Sequence, residues 1–237
     1  MICDMHHHLV FGVDDGSESF EMSQAMIRRA AGEGVQAICC TSHCTPGHRP
    51  FPWEKYMGAM EKMSQFILQE GIQMTLTVGC EILYTEEAPQ LARRGEIPTI
   101  SGRNAVLVEF LPSVVFDRIC QAARDFGNAG YQVVFAHVER YDCLRESWDR
   151  LDELKDLGAL LQMNCSTVIR SHGLFGDRWA KKALRSGYID IAASDSHNVS
   201  SRACNIKECR EILVKDYGED TAVRLLETNP GHIMGFA

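Results

Sequence analysis

The chain has no apolar run approaching the roughly 20 residues that cross a bilayer, which argues against membrane insertion. It is also short of positive charge: 24 Lys and Arg stand against 32 Asp and Glu, a formal net charge of -8. No basic stripe with interleaved aromatics offers a nucleic-acid footprint. An anionic substrate must therefore be drawn by local positive charge, which bound metal ions would supply. The ten cysteines include no C-x-x-C pair, which argues against a zinc knuckle. A chain of 237 residues is also too large to need a disulfide framework, so Cys39, Cys40, Cys80 and Cys165, all in apolar runs, read as small core residues. Linkers, low-complexity segments and charge blocks are missing too, so residues 1–237 read as one domain. The N-terminus carries ligand-type residues where a signal region would carry positive charge, and the expected location is the cytoplasm.

What is present is regular punctuation. Gly34, Gly71, Gly130, Gly158 and Gly187 each close an amphipathic stretch and open a short apolar run: VQAICC, IQMTLTV, YQVVFA, ALLQM and YIDIAA. A glycine that ends a helix and leads into a buried strand is the αβ junction of a parallel sheet. With AVLVEF after Gly102 and MICDMH at the start, about seven strands alternate with helices. That pattern predicts an α/β fold with right-handed crossovers. Helices are expected from Ser19, whose side chain can cap, and over 53–70, 114–128, 147–157, 176–186 and 202–217, with one or two short ones over 219–234. The loop from Pro46 to Pro52 is expected to act as a lid, with Phe51 and Trp53 as its apolar contacts.

The strands share an ending. The first closes on His6, His7 and His8; alternation along a strand puts His6 and His8 on one face and turns His7 away. The second ends at His43, the third at Glu81, the fourth at Glu109, the fifth at His137, and the last at Asp195 and His197. Asp15 lies in the loop after the first strand. In α/β barrels and open parallel sheets ligands gather at the carboxyl ends of strands, so these residues are expected to converge. Five histidines and four carboxylates exceed the needs of one ion. Two or three divalent ions are implied, and mixed nitrogen and oxygen ligation suits Mn, Fe or Zn.

Arg140 and Arg202 follow two of these ligand groups, and a planar guanidinium can grip two phosphate oxygens at once. Each could equally serve in a salt bridge. Asn164, ending the remaining strand, can hydrogen-bond substrate or metal ligands, or cap the turn that follows. Cys204 and Arg210 have the spacing of a thiol-phosphatase loop, but the intervening NIKEC lacks glycine and has a helical pattern, so a cysteine nucleophile is rejected. His48, His172 and His232 fall outside the pattern.

The segments MICDMHHHLVFGVDDG, TSH, GCEILY, LVEF, AHVERYD and SDSHN resemble the PHP (polymerase and histidinol phosphatase) superfamily. Within it they are most similar to the bacterial tyrosine-protein phosphatases of capsule and exopolysaccharide operons, the CpsB/CapC type, from Met1 to about Pro230. The resemblance implies a distorted (β/α)7 barrel and a trinuclear centre, usually supported by manganese. It places His6, His8, Glu81 and Asp195 around one ion, Glu81, Glu109 and His137 around a second, and Asp15, His43 and His197 around the third. The implied activity is hydrolysis of phosphotyrosine on the tail of a membrane-associated tyrosine autokinase, without a phosphocysteine. The alternatives are a phosphoesterase for a small monoester such as histidinol phosphate and a non-catalytic metal-binding regulator. Histidinol phosphatases of the superfamily typically lack the Asp14-Asp15-Gly16 element, and a degenerate regulator would be expected to lose ligands.

Overall fold

The computed structural model describes residues 1–236. Seven short apolar strands form the framework: β1 (Ile2–His7), β2 (Val35–Cys44), β3 (Thr75–Leu83), β4 (Ala105–Glu109), β5 (Gln132–Phe135), β6 (Leu160–Asn164) and β7 (Ile191–Ala193). They are hydrogen-bonded in sequence order and all parallel. A parallel bridge between His7 and Ser196 nearly closes the sheet on itself. The result is the distorted (β/α)7 barrel that the resemblance to the PHP superfamily implies.

The helices lie outside because each has one apolar face to bury. In α1 (Phe20–Gly32), Ser19 caps the first turn by accepting from the Met22 amide at 3.2 Å, and Met26, Ile27 and Ala30 are buried. The expected helices appear as α2 (Trp53–Gln69), α4 (Phe116–Asn128), α6 (Asp149–Asp156), α8 (Arg178–Arg185) and α9 (Ile206–Tyr217). Three more, α3 (Ala88–Arg93), α5 (Asp142–Glu146) and α7 (Cys165–Ser171), are too short to show a period in sequence. The chain ends in α10 (Glu219–Val223), a π turn and α11 (Asn229–Met234), whose Met234 joins Cys3, Met5, Leu107 and Val134 in filling the barrel.

One irregularity in β1 positions the site. Between Asp4 and His7 three steps of β1 face two of β2, since Asp4 pairs with Ile38 and His7 with Cys40. Such a bulge reverses the side-chain phase. Met5 can therefore fill the barrel while His6 and His8, of opposite parity, also reach its inner side.

The seam between β1 and β7 is short, and a buried carboxylate reinforces it. Asp4 accepts from the Ser194 amide at 3.0 Å and the Ser194 hydroxyl at 2.5 Å. Burial pushes the Asp4 carboxyl up to about 6 against these bonds. Just above, the Asp195 amide donates to the His6 carbonyl and the His8 amide to the Ser196 carbonyl, both at 2.9 Å. Asp4→Ala would strand two buried donors on Ser194, so it should cost about 2–4 kcal/mol in urea unfolding. A loss below about 0.5 kcal/mol would show that the seam does not depend on this carboxylate.

Candidate metal centre

The carboxyl ends of the strands bring all nine expected side chains into one connected cluster. The Glu81 carboxylate lies in the middle. Its Oε2 is 3.2 Å from His6 Nε2, His8 Nε2 and His43 Nδ1, and its Oε1 is 2.8 Å from His137 Nε2. Glu109 reaches His43 Nδ1 at 2.9 Å and His137 Nε2 at 3.8 Å. Asp195 Oδ1 lies 3.5 Å from His6 and His197 and 3.6 Å from His8. Asp15, on the exposed rim, comes within 3.3 Å of His43 and 3.5 Å of His197. Ligand-type atoms gather within 4.8 Å of one another in three overlapping groups: His8, Asp15, His43 and His197; His6, His8 and Glu81; His43, Glu81 and Glu109. This overlap differs from the division the resemblance implies, because His8 reaches into the outer group and His43 faces Glu81 and Glu109.

Residues that sequence reasoning passed over hold these rings in place. Gln162 on β6 offers its Oε1 to His6 Nδ1 at 3.1 Å and to the His137 amide at 2.8 Å. A proton on His6 Nδ1 satisfies that contact and leaves Nε2 with a free lone pair towards the cluster. Asp14 does the same for His8, 2.8 Å from its Nδ1, and also accepts from the amides of His43 at 2.9 Å and Gly16 at 3.0 Å. The signals were a glutamine inside the apolar run ALLQM and the first member of the Asp pair. Asn164 donates to Asp195 Oδ2 at 2.8 Å and makes no side-chain cap to α7. His137 and Asp195 have left-handed backbones, φ 33° and 52°, conformations that non-glycine residues adopt at a cost.

The donor set fits cations. His6 Nε2 and His8 Nε2 face each other at 3.2 Å with carboxylate oxygens around them, an arrangement that two neutral imidazoles do not satisfy without positive charge between them. His137 Nδ1 and His197 Nε2 are buried without a hydrogen-bond partner among the described residues. Burial opposes charge on His8, yet its bonds to Asp14 and Glu81 prevail and hold it up at about 10. Burial likewise opposes ionisation of Glu81, but the surrounding histidines hold it well below the usual carboxylate range. Carboxylates that stabilise positive charge this strongly where the rings meet are suited to divalent ions of the Mn, Fe or Zn class. His7 is fully buried, its ring nitrogens have no hydrogen-bond partner among the described residues, and burial pushes it down to about 3; it stands apart from the groups above.

Arg140 and Arg202 flank the cluster, and both pair with Asp195. Arg140 Nη2 is 2.8 Å from Oδ2, and Arg202 Nη2 is 3.0 Å from Oδ1. The salt-bridge role is thus present, while each side chain stays about two-fifths exposed with further N–H groups to offer. Cys204 is buried, burial pushes its thiol far up, and the segment leading to Arg210 enters helix α9. Neither an anion-binding loop nor a thiolate is present there. His172 pairs with Asp216 at 2.6 Å on the surface. At the loop over 46–52, Phe51 is buried against Trp53 and Tyr56, and a cleft of about 520 Å3 separates the loop from α3 and the turn after it.

Comparison with known proteins adds to this geometry. The capsular polysaccharide synthesis family CpsB/CapC matches residues 2–235. The chain is 31% identical over 237 residues to the tyrosine-protein phosphatase CpsB of Streptococcus pneumoniae, covering 98% of this chain and 97% of that one. It is 28% identical to the tyrosine-protein phosphatase YwqE of Bacillus subtilis, over 94% of this chain and 88% of that one. A crystal structure from work on YwqE of Bacillus subtilis and CpsB of Streptococcus pneumoniae, described as unique metal-dependent tyrosine phosphatases, superposes with a TM-score of 0.88 at 26% identity, covering 99% of this chain and 95% of that one. A histidinol phosphate phosphatase of Lactococcus lactis shares the fold, with a TM-score of 0.56 at 15% identity over 91% of this chain and 94% of that one.

Gln162 gives the arrangement a direct test. Gln162→Leu keeps the size of a side chain that is fully buried but removes the acceptor that fixes His6. Metal affinity, followed by competition with a chromogenic chelator, should fall about 10- to 100-fold. An unchanged affinity would mean that His6 is oriented without its glutamine.

Proposed function

The chain belongs to the CpsB/CapC family of capsular polysaccharide synthesis and is a metal-dependent tyrosine-protein phosphatase, and we propose that in the cytoplasm it dephosphorylates the tail of a membrane-associated tyrosine autokinase. The observation that carries the chemistry is the cluster around Glu81, where one buried carboxylate meets four imidazoles. His6, His8, Asp15, His43, Glu81, Glu109, His137, Asp195 and His197 would hold two or three divalent ions there, most naturally manganese. Such ions supply charge for the phosphoryl oxygens and lower the pKa of water from about 16 towards about 7.

The chain's own groups do the rest. Gln162 and Asp14 fix the ring orientations, so no reorganisation is needed when charge develops. Arg140 and Arg202, held by Asp195, present their remaining N–H groups to the phosphoryl oxygens. Phenol leaves with a pKa near about 10, so the reaction depends less on a strong general acid than that of an alkyl phosphate. Support for phosphotyrosine over a small monoester comes from the Asp14-Asp15-Gly16 loop, which places Asp15 against His43 and His197 and Asp14 against His8.

Kinetics on a phosphotyrosyl peptide and on histidinol phosphate test the reading. The peptide should be the better substrate in kcat/KM. Cys204→Ser should leave turnover nearly intact, whereas Glu81→Ala should cost several orders of magnitude. Arg140→Ala or Arg202→Ala should each remove about 2–4 kcal/mol of transition-state stabilisation. Trapping phosphate on Cys204, or a preference for histidinol phosphate, would overturn the assignment.

A further inference from the structure

A second polar cavity, of about 250 Å3, opens beside the metal centre, and a third arginine lines it. Asp195 forms the partition between the two. One of its oxygens lies 3.5 Å from His6, while the carboxylate also binds Arg140 and Arg202, which both face the cavity. Arg170, an exposed residue near the end of α7, lines the same cavity. Its guanidinium donates to Thr167 Oγ1 at 3.0 Å, and among the described residues no carboxylate lies within ion-pairing distance of it.

That single bond is part of a built support. The Thr167 hydroxyl, having accepted from Arg170, donates its own proton to Glu139 Oε1 at 2.9 Å. The same Glu139 oxygen accepts from the Asn164 amide at 3.1 Å. Glu139 and Thr167 are both buried, so the base on which Arg170 stands is fixed while its remaining N–H groups are unspent. The rest of the lining is uncharged: Asn164, Ser166, Ser194, Ser201, Ala203 and Asn205, whose Oδ1 is buried without a partner among the described residues. An amide oxygen and nitrogen exchange places on a half-turn of the side chain, so Asn205 can present a donor in that position. Three arginines against one carboxylate make this a cationic pocket in a chain of net charge -8.

The geometry points to a second oxyanion site, distinct from the seat of the scissile phosphate, in which Arg170 is the dedicated binding residue. Its ligand is a carboxylate or phosphate group carried next to the phosphotyrosine, or the inorganic phosphate released by the reaction. The volume admits one such group with water, and the arginine-rich lining disfavours an apolar side chain. Arg140 and Arg202 border both sites, so an anion held by Arg170 lies beside the reacting phosphoryl group. The first of the two ligands rests on the phosphotyrosine reading above; the second does not.

Two measurements on the metal-loaded enzyme separate these possibilities. Phosphotyrosyl peptides that differ only in Glu or Gln beside the phosphotyrosine report the flanking anion. Wild type should favour the Glu peptide about fivefold to tenfold in KM, and Arg170→Ala should erase that preference. Calorimetric titration with inorganic phosphate reports the product anion: wild type should bind two phosphates per chain and Arg170→Ala one. Arg170→Lys should recover part of either effect, since charge remains while the two-pronged geometry is lost. Loss of the Glu preference alone assigns the site to the flanking residue, and loss of the second phosphate alone assigns it to product. If Arg170→Ala changes neither, the second site does not exist. If wild type cleaves neither peptide, the phosphotyrosine reading fails, and the phosphate titration still decides the oxyanion site.

Discussion

The contact on which the rest depends is the buried carboxylate of Glu81 among four imidazoles from β1, β2 and the end of β5. A carboxylate in that position is costly unless positive charge or strong donors surround it, and four rings converging on it are equally costly unless they share that charge. The barrel resolves the conflict by gathering strand ends that are far apart in sequence. The β1 bulge turns His6 and His8 inward, and the β1–β7 seam sets Asp195 opposite them. Fold and centre are therefore one problem: a slip of one residue in β1 would turn its histidines out of the cluster.

Charge explains the division of labour around the centre. Inside, carboxylates outnumber what neutral histidines can satisfy, so the cluster selects cations. On the outer side of Asp195, arginines outnumber carboxylates, so the adjoining pocket selects anions. Asp195 belongs to both, pairing with Arg140 and Arg202 while facing His6 and His8. A phosphoryl ester needs the first environment for its oxygens and the activation of water, and the second lies where a neighbouring anion would be held beside it.

Much of this is legible in the sequence, for a physical reason. A strand buried on both faces reads as a plain apolar run, so a His or carboxylate at its end stands out, as at His43, Glu81 and His137. Glycines such as Gly34, with φ of 88°, mark where helices hand over to strands. The positioning groups were harder to read. Gln162 lies within a strand and Asp14 beside a more conspicuous neighbour, and what distinguishes each is a partner distant in sequence or brought close by a loop. The dual role of Arg140 and Arg202 was visible only as an even choice, and the support of Arg170 through Thr167 and Glu139 required the third dimension. Helices α3, α5 and α7 escaped because five to seven residues do not complete a readable apolar stripe.

On our proposal the cluster around Glu81 holds several ions. Elemental analysis of protein purified without chelator, followed through stepwise removal of metal with EDTA, tests it most directly. The prediction is more than one first-row transition metal ion per chain, with phosphotyrosine hydrolysis lost as metal is withdrawn and restored by added manganese. A metal-free protein that stays folded and keeps full activity in EDTA would contradict the claim.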